Sequence, residues 1–395
     1  MRTLSIVAAF FVSLLVALPS TAAAYEPPAG AVFNNPKGNR DAKYRIIQTV
    51  NRAVKGAPKG SRILMSMFLM DNKASVDLLL RARRRGVEVR MVIDGNARNG
   101  QTRRLAKGLN RDNRKKVRGK RVVGGPDGSF VVFCKGSCRD GGKPNHTKFF
   151  TFTRTGRAKD VVMVSSSNLN KGSAVKGYND LYVVKGRKQL RKDFARVHTE
   201  MAEDSSRDKD GFLEFDRGNL TARFYPKKSK GDPVMSDFNK IRCRGARGGA
   251  GRHGHTRIHI SMFRWNSERG IRLAKKVVAL DRHGCDVSVI YGAPGSTIVD
   301  ILKRSARRGG VKLWDSRTFS PDRRVTLRVH EKYLLISGRY GADRSAWRVH
   351  TGSANWGRSL HAGDENTLNV AGKGAWRQYL RNWNYVRRHG AYRVR

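Results

Sequence analysis

The segment Ser61–Phe68 reads SRILMSMF, and Thr256–Phe263 reads TRIHISMF, 195 residues further along a chain of 395. A repeat at half the chain length means that one supersecondary unit has to be built twice and the two copies packed together. Both segments alternate with the period of two that a strand requires. After the first copy come Val76, Leu79 and Leu80 at helical spacing, then Arg83 to Arg85 and Gly86, which is a helix with cations in its last turn and a glycine stop. The strand-like VEVRMVIDG follows, from Val87 to Gly95. After the second copy, Ile271, Leu273, Val277 and Val278 mark a helix that stops at Gly284, and DVSVIYG follows from Asp286 to Gly292. Each half therefore predicts strand, helix, strand, an α/β unit with a mixed and mostly parallel sheet flanked by helices. The polar, aperiodic stretch Ala202 to Asn219 suits a boundary, and we place a first repeat at 25–205 and a second at 206–395.

Composition limits what such a fold can meet. Hydrophobic residues are 39% of the chain, which excludes a disordered polymer. Lys and Arg number 81 against 31 Asp and Glu, a formal charge of +50. That surface attracts polyanions: nucleic acid, an anionic membrane surface or anionic cell-wall polymers. The basic stretches Arg98 to Lys120 and Arg242 to Arg252 are candidate contacts.

The first 24 residues read as an export signal. Arg2 precedes a nearly continuous apolar run from Leu4 to Leu18, too short for a stable span, and Ala22 to Ala24 form a small-residue cleavage site. The expected product is a secreted chain beginning at Tyr25. Export permits disulfides among the four cysteines. Cys134 and Cys138 can close a small ring, with Cys243 and Cys285 forming a longer staple, but four cysteines allow three pairings.

The chemistry sits in a second duplicated element. Asn145 to Phe152 reads NHTKFFTF and Val329 to Ile336 reads VHEKYLLI, so His146 with Lys148 recurs as His330 with Lys332. Residues i and i+2 of a strand share a face, which brings an imidazole and an ammonium to one spot. Imidazole can attack phosphorus or protonate a leaving group, and the ammonium stabilises non-bridging oxygens. A lone His-x-Lys means little in a lysine-rich chain. Here each is followed by a small-residue block, Ser165-Ser166-Ser167-Asn168 and Gly352-Ser353-Ala354-Asn355. Small residues allow the backbone close to a phosphate, and Ser166, Ser353, Asn168 and Asn355 can hydrogen-bond to it. An acid then precedes another strand, Asp180 in YNDLYVV and Glu365 in GDENTLNV, placed to hold a histidine's other nitrogen.

This twofold pattern of His-x-Lys, small-residue block with Asn, and acid resembles the phospholipase D superfamily. The resemblance implies two homologous half-repeats related by a pseudo-twofold axis, with both motifs lining one cleft. It implies that one histidine forms a phosphohistidine while the other protonates the leaving group and then activates water or an alcohol. His146 is the expected nucleophile and His330 the acid. Lys148, Lys332, Asn168 and Asn355 would bind phosphoryl oxygens, and Asp180 and Glu365 would orient the imidazoles. No metal or cofactor is implied. The expected activity is hydrolysis, or transfer, of the phosphatidyl group of phospholipids by a monomer. The alternatives are a secreted nuclease and a catalytically inactive polyanion-binding relative. One departure stands out: where the family has an aspartate five residues after the lysine, this chain has Thr153 and Ser337.

Overall fold

The computed structural model describes residues 25–109, 116–117, 121–122, 128–140, 142–205, 211–358 and 362–394. The expected export signal, part of the basic stretch 98–120 and the expected start of the second repeat at 206 lie outside the described residues. The first sheet runs Gly30–Phe33, Asp180–Val184, Ala158–Ser165, Lys148–Thr155, Arg62–Met67, Glu88–Asp94, Phe130–Cys134. The second runs Leu213–Asp216, Leu220–Phe224, Asn366–Ala371, Asp343–Gly352, Lys332–Tyr340, Arg257–Trp265, Asp286–Pro294, Lys312–Asp315, Tyr392–Val394. From the strand before the Asp180 or Asn366 strand onward, the two orders repeat each other.

Both sheets are mixed rather than mostly parallel. Only the consecutive pairs reached through Arg62–Met67, Glu88–Asp94 and Phe130–Cys134, and through their counterparts Arg257–Trp265, Asp286–Pro294 and Lys312–Asp315, are parallel. The cause is the connection: a crossover helix gives parallel neighbours, whereas the two-residue link between Thr155 and Ala158 can only reverse the chain.

The crossover helices form as their sequence dictates. Lys73–Arg84 begins where the Asn72 side chain accepts from the Ser75 amide, and it stops before Gly86 at φ +83°. Ser267–Arg282 stops before Gly284 at φ +93°. Each packs on the outer face of its own sheet. The inner faces meet in one shared core, where Phe149, Val162 and Val164 of the first sheet join Phe224, Tyr333, Leu335 and Leu368 of the second. Two helices complete that core, Lys188–Ala202 through Phe194 and Val197, and Lys373–His389 through Trp376, Tyr379 and Trp383.

Two disulfides tie down loops, Cys134–Cys138 and Cys243–Cys285. Among the described residues no helix is long and apolar enough to cross a membrane. Thr153 and Ser337 sit at the strand ends remote from the His-x-Lys motifs, where their hydroxyls accept from the amides of Arg62 (2.8 Å) and Gly251 (2.9 Å). They supply the acceptor that a structural aspartate would supply.

Because the central core belongs to both sheets, the halves should unfold together. Phe149, fully buried between Phe194 and Phe224, makes the test: Phe149→Ala should cost about 3–5 kcal/mol, read as a lower denaturant midpoint in one unbroken transition. Two separated transitions would show that the shared core does not couple the halves.

Candidate active site

The His-x-Lys strands begin where the two halves touch. Asn145 forms a parallel bridge with Asp364, and the His146 amide donates to the Asp364 carbonyl at 2.8 Å. In the same way Val329 pairs with Tyr178, and the His330 amide donates to the Tyr178 carbonyl at 2.8 Å. These reciprocal contacts are the local expression of the pseudo-twofold axis. They put the residue after each carbonyl beside the opposing imidazole.

Nδ1 of His146 lies 2.9 Å from both carboxylate oxygens of Glu365. Nδ1 of His330 lies 2.8 Å from Oδ1 of Asn179. Both Asn179 Nδ2 hydrogens go to carbonyls, of Ser173 and Gly177, at 2.9 Å each, so the amide orientation is settled and Oδ1 faces the ring. That oxygen can only accept, which puts the His330 proton on Nδ1 and leaves Nε2 for chemistry. Glu365 imposes the same tautomer on His146.

Asp180 was expected in the role that Asn179 fills. Its Oδ2 instead accepts from the hydroxyls of Thr351 and Tyr379, and it lies below Lys332 as counter-charge. The hydrogen-bond pattern explains the correction. The Ser166 amide donates to the Asp180 carbonyl and the Ser353 amide to the Asn366 carbonyl, so Asp180 corresponds to Asn366 and Asn179 to Glu365. The acid in the first half lies one residue further along, and in an extended chain one residue reverses the side chain.

The serines are likewise reassigned. Ser166 and Ser353 are fully buried, and their hydroxyls accept from the amides of Asp180 (3.0 Å) and Asn366 (2.9 Å); Ser353 also donates to Glu365. They lock the loops that carry Asn179 and Glu365 rather than facing a ligand. Asn168 and Asn355 each use Oδ1 to accept a backbone amide, from Leu69 and Arg264 at 3.2 Å, which leaves Nδ2 as the donor end.

Lys148 and Lys332 are buried, each with Nζ donating to the carbonyl of its own motif histidine. Beneath each ammonium lies the phenylalanine that closes the duplicated sequence segment: Phe68 is 5.3 Å from Lys148 Nζ and Phe263 is 5.2 Å from Lys332 Nζ. The same rings pack on the imidazoles, with centroids 4.9 Å apart for Phe68 and His146 and 4.5 Å for Phe263 and His330. The duplicated SRILMSMF and TRIHISMF carried this signal, since the final aromatic is among the residues retained in both copies.

Burial, and then the neighbouring ammoniums, hold both imidazoles well below the usual histidine range, so they are neutral in the empty cleft. Burial also pushes Lys332 down to about 7, against the pull of Glu365, Asp180 and Glu331. Such a centre favours an anion, which would offset the two ammoniums and raise both histidines. The arrangement offers one imidazole backed by a carboxylate, one backed by a neutral amide, two ammoniums and two amide donors. That is a complete set for in-line displacement at a phosphodiester. Among the described residues no group of three His, Cys, Asp or Glu gathers as a metal site.

Residues 46–198 match the family model described as cardiolipin synthase, PLD-like domain. No curated protein matches the chain. Two solved structures share the fold. The crystal structure of phosphatidylserine synthase from Haemophilus influenzae Rd KW20 is 14% identical with a TM-score of 0.60, over 94% of this chain and 88% of that one. Polyphosphate kinase from Porphyromonas gingivalis is 12% identical with a TM-score of 0.58, over 90% of this chain. The chain spans about half the length of that kinase, 49% of it.

The crossed partners make a specific test. Glu365→Gln should lower kcat by about 10²–10⁴-fold, the range of a positioned acid–base group, with the melting temperature little changed. Asn179→Leu should cost at least about 100-fold. An Asn179→Leu protein with wild-type kcat would sink the crossed arrangement.

Proposed function

We propose that the chain is a phospholipase D superfamily member, as the family model matched by residues 46–198 and the shared fold support, and that it is an exported phosphodiesterase that hydrolyses the phosphatidyl ester of phospholipids through a phosphohistidine. The observation that carries the reading is the pair of His-x-Lys motifs meeting across the two halves, each histidine with Nδ1 capped by the opposite half. Nε2 of His146 attacks phosphorus, and the phosphorus–oxygen bond to the headgroup alcohol breaks. The ring becomes cationic as it bonds to phosphorus, and the Glu365 carboxylate stabilises that charge through Nδ1–H. The bound phosphodiester anion offsets the ammoniums and raises His330, which takes a proton from solvent on Nε2 and gives it to the departing alkoxide. It is the better acid because its partner, Asn179, is neutral and does not hold the imidazolium. His330 then takes a proton from water, or from an acceptor alcohol, which attacks phosphorus and releases His146. Lys148, Lys332 and the amides of Asn168 and Asn355 hold the non-bridging oxygens throughout.

Lipid is favoured by the lipid-synthase description of the matching family model and by the N-terminal apolar run, which we read as an export signal. One observation favours a second reading, a nuclease acting on DNA or RNA. The formal charge is +50, and only Phe319, Tyr385 and Tyr392 are exposed large hydrophobics among the described residues, which is little apolar surface to meet a bilayer. A single chain supplies both motifs, so the reading takes the active unit to be a monomer.

The deciding measurement sets headgroup release from phosphatidylglycerol vesicles beside cleavage of single-stranded DNA, both with chelator present. Headgroup release that is indifferent to chelator and nearly abolished by His146→Ala and by His330→Ala is the expected result. DNA cleavage alone would replace the lipid reading by the nuclease reading, and activity restored only by added metal would end the phosphohistidine mechanism. The pH dependence has a defined sign. Lys332 must be charged to receive an anion, so kcat/KM should fall as pH rises through about 7. A profile flat from pH 6 to 9 would show that the ammonium is not required.

A further inference from the structure

The pseudo-twofold axis supplies an internal control: wherever the two halves differ at equivalent places around the cleft, the difference reports an asymmetry in what binds. Most of the centre is matched, pair by pair, in His146 and His330, Lys148 and Lys332, Asn168 and Asn355, Phe68 and Phe263. The rim is not. Arg264 is the residue whose amide meets Asn355, and its counterpart, whose amide meets Asn168, is Leu69. Arg328 is the second residue before His330, and the second residue before His146 is Pro144.

Both arginines stand on the His330 side. The guanidinium carbon of Arg264 is 5.7 Å from the Phe263 ring centre and that of Arg328 is 5.4 Å, over the same ring that packs on His330 and underlies Lys332. Phe68, in the other half, carries Lys148 and, among the described residues, no arginine. Both arginines are exposed, and among the described residues no carboxylate pairs with either. This is unlike Arg223 and Arg269, which pair with Asp237 and Asp232. Two forked cations, held over an aromatic face and left without an acid, form a receptor for a planar or tetrahedral anion. Their charge reaches the centre: Arg264 helps lower His146 and Arg328 helps lower His330.

We propose that Arg264 and Arg328 form a subsite for a second anionic group carried by the leaving alcohol, so that the preferred substrate is a phosphodiester whose departing group itself bears a phosphate. The inference rests on the reading of His330 as the acid, since that places the leaving group on its side. The opposite rim, with Leu69 and Pro144, then receives the uncharged part that stays on phosphorus. A glycerophospholipid with a phosphorylated headgroup has this polarity, one flank charged and the other apolar.

The test uses the His146→Ala protein, which binds without turnover, and two soluble short-chain lipids, dihexanoyl phosphatidylglycerol and dihexanoyl phosphatidylglycerol phosphate. They share the retained phosphatidyl group and differ by one phosphate on the departing glycerol. Calorimetry should show the phosphorylated lipid binding at least tenfold more tightly. Adding Arg264→Gln and Arg328→Gln should bring the ratio of the two Kd values to within about threefold of one, and the Lys versions should retain most of it. An equal Kd for the two lipids, or a preference that survives the double Gln variant, overturns the subsite. Turnover by the His146→Ala protein would instead indict the catalytic reading. If neither lipid binds, the lipid reading fails, and dTpdTp and pdTpdT, each one phosphate richer than dTpdT, decide the subsite by the same ratio against dTpdT.

Discussion

The structure depends on a reciprocal exchange at the contact between its halves: the Glu365 carboxylate holds His146, and the Asn179 amide holds His330. Neither half can complete a catalytic imidazole by itself. The exchange is prepared by the main chain, because the bridges of Asn145 with Asp364 and Val329 with Tyr178 set the register before any side chain is considered. The rest of the fold serves that register. The shared core of Phe149, Phe224, Tyr333 and Trp383, with the two helices packed into it, keeps the halves from sliding past one another. A slip of one residue would turn Glu365 away from the ring.

Burying two ammoniums and two imidazoles in one cleft is unfavourable unless opposite charge is close by. The protein answers with a layer of acids below the cleft. Glu365 and Asp94 act on Lys148, while Glu365, Asp180 and Glu331 act on Lys332. Glu331 is buried and pushed up to about 8 by desolvation and by Asp180, though Ser261 and Asn382 donate to it. This layer is not symmetric, since the position of Glu331 is occupied in the first half by Thr147, whose hydroxyl meets Ser66 at 2.5 Å. The second lysine therefore sits above one more carboxyl group, which burial holds largely protonated near neutral pH, on the side where the rim arginines add positive charge.

Much of this was legible in the sequence because strand pairs advertise themselves by identity. The duplicated SRILMSMF and TRIHISMF, the two His-x-Lys strands and the Asn of each small-residue block all sit where period-two alternation and equal order put them. The sheet was harder to read. A crossover helix announces a parallel neighbour, but the antiparallel strands come from short reversals and a return to Gly30–Phe33 that no local pattern reveals. The histidine partners were read half correctly. Glu365 was read as holding an imidazole, without saying which, and it lies beside His146 of the opposite half, whereas Asp180 was chosen over Asn179 because residue type outweighed register. Ser166 and Ser353 were taken as ligands for a similar reason. Hydroxyls near a phosphate motif invite that reading, and only the hydrogen bonds to Asp180 and Asn366 show them committed to the loop.

The same comparison of halves explains how Thr153 and Ser337 can replace the expected aspartates while the rest of the pattern persists. Their hydroxyls meet Arg62 and Gly251 at the far ends of the motif strands, so what the position demands is one acceptor for one backbone amide. A hydroxyl meets that demand without bringing a further charge into a chain that already places several carboxylates beneath its cleft. His146 and His330, by contrast, must each present a free Nε2 and a capped Nδ1 to the same ligand, and no smaller set of atoms does that. Divergence between the repeats is therefore expected at the strand ends and at the rim, where one half carries Leu69 and Pro144 and the other Arg264 and Arg328. It is not expected at the four residues of the two His-x-Lys pairs, where on the proposed mechanism both halves act on one phosphorus atom.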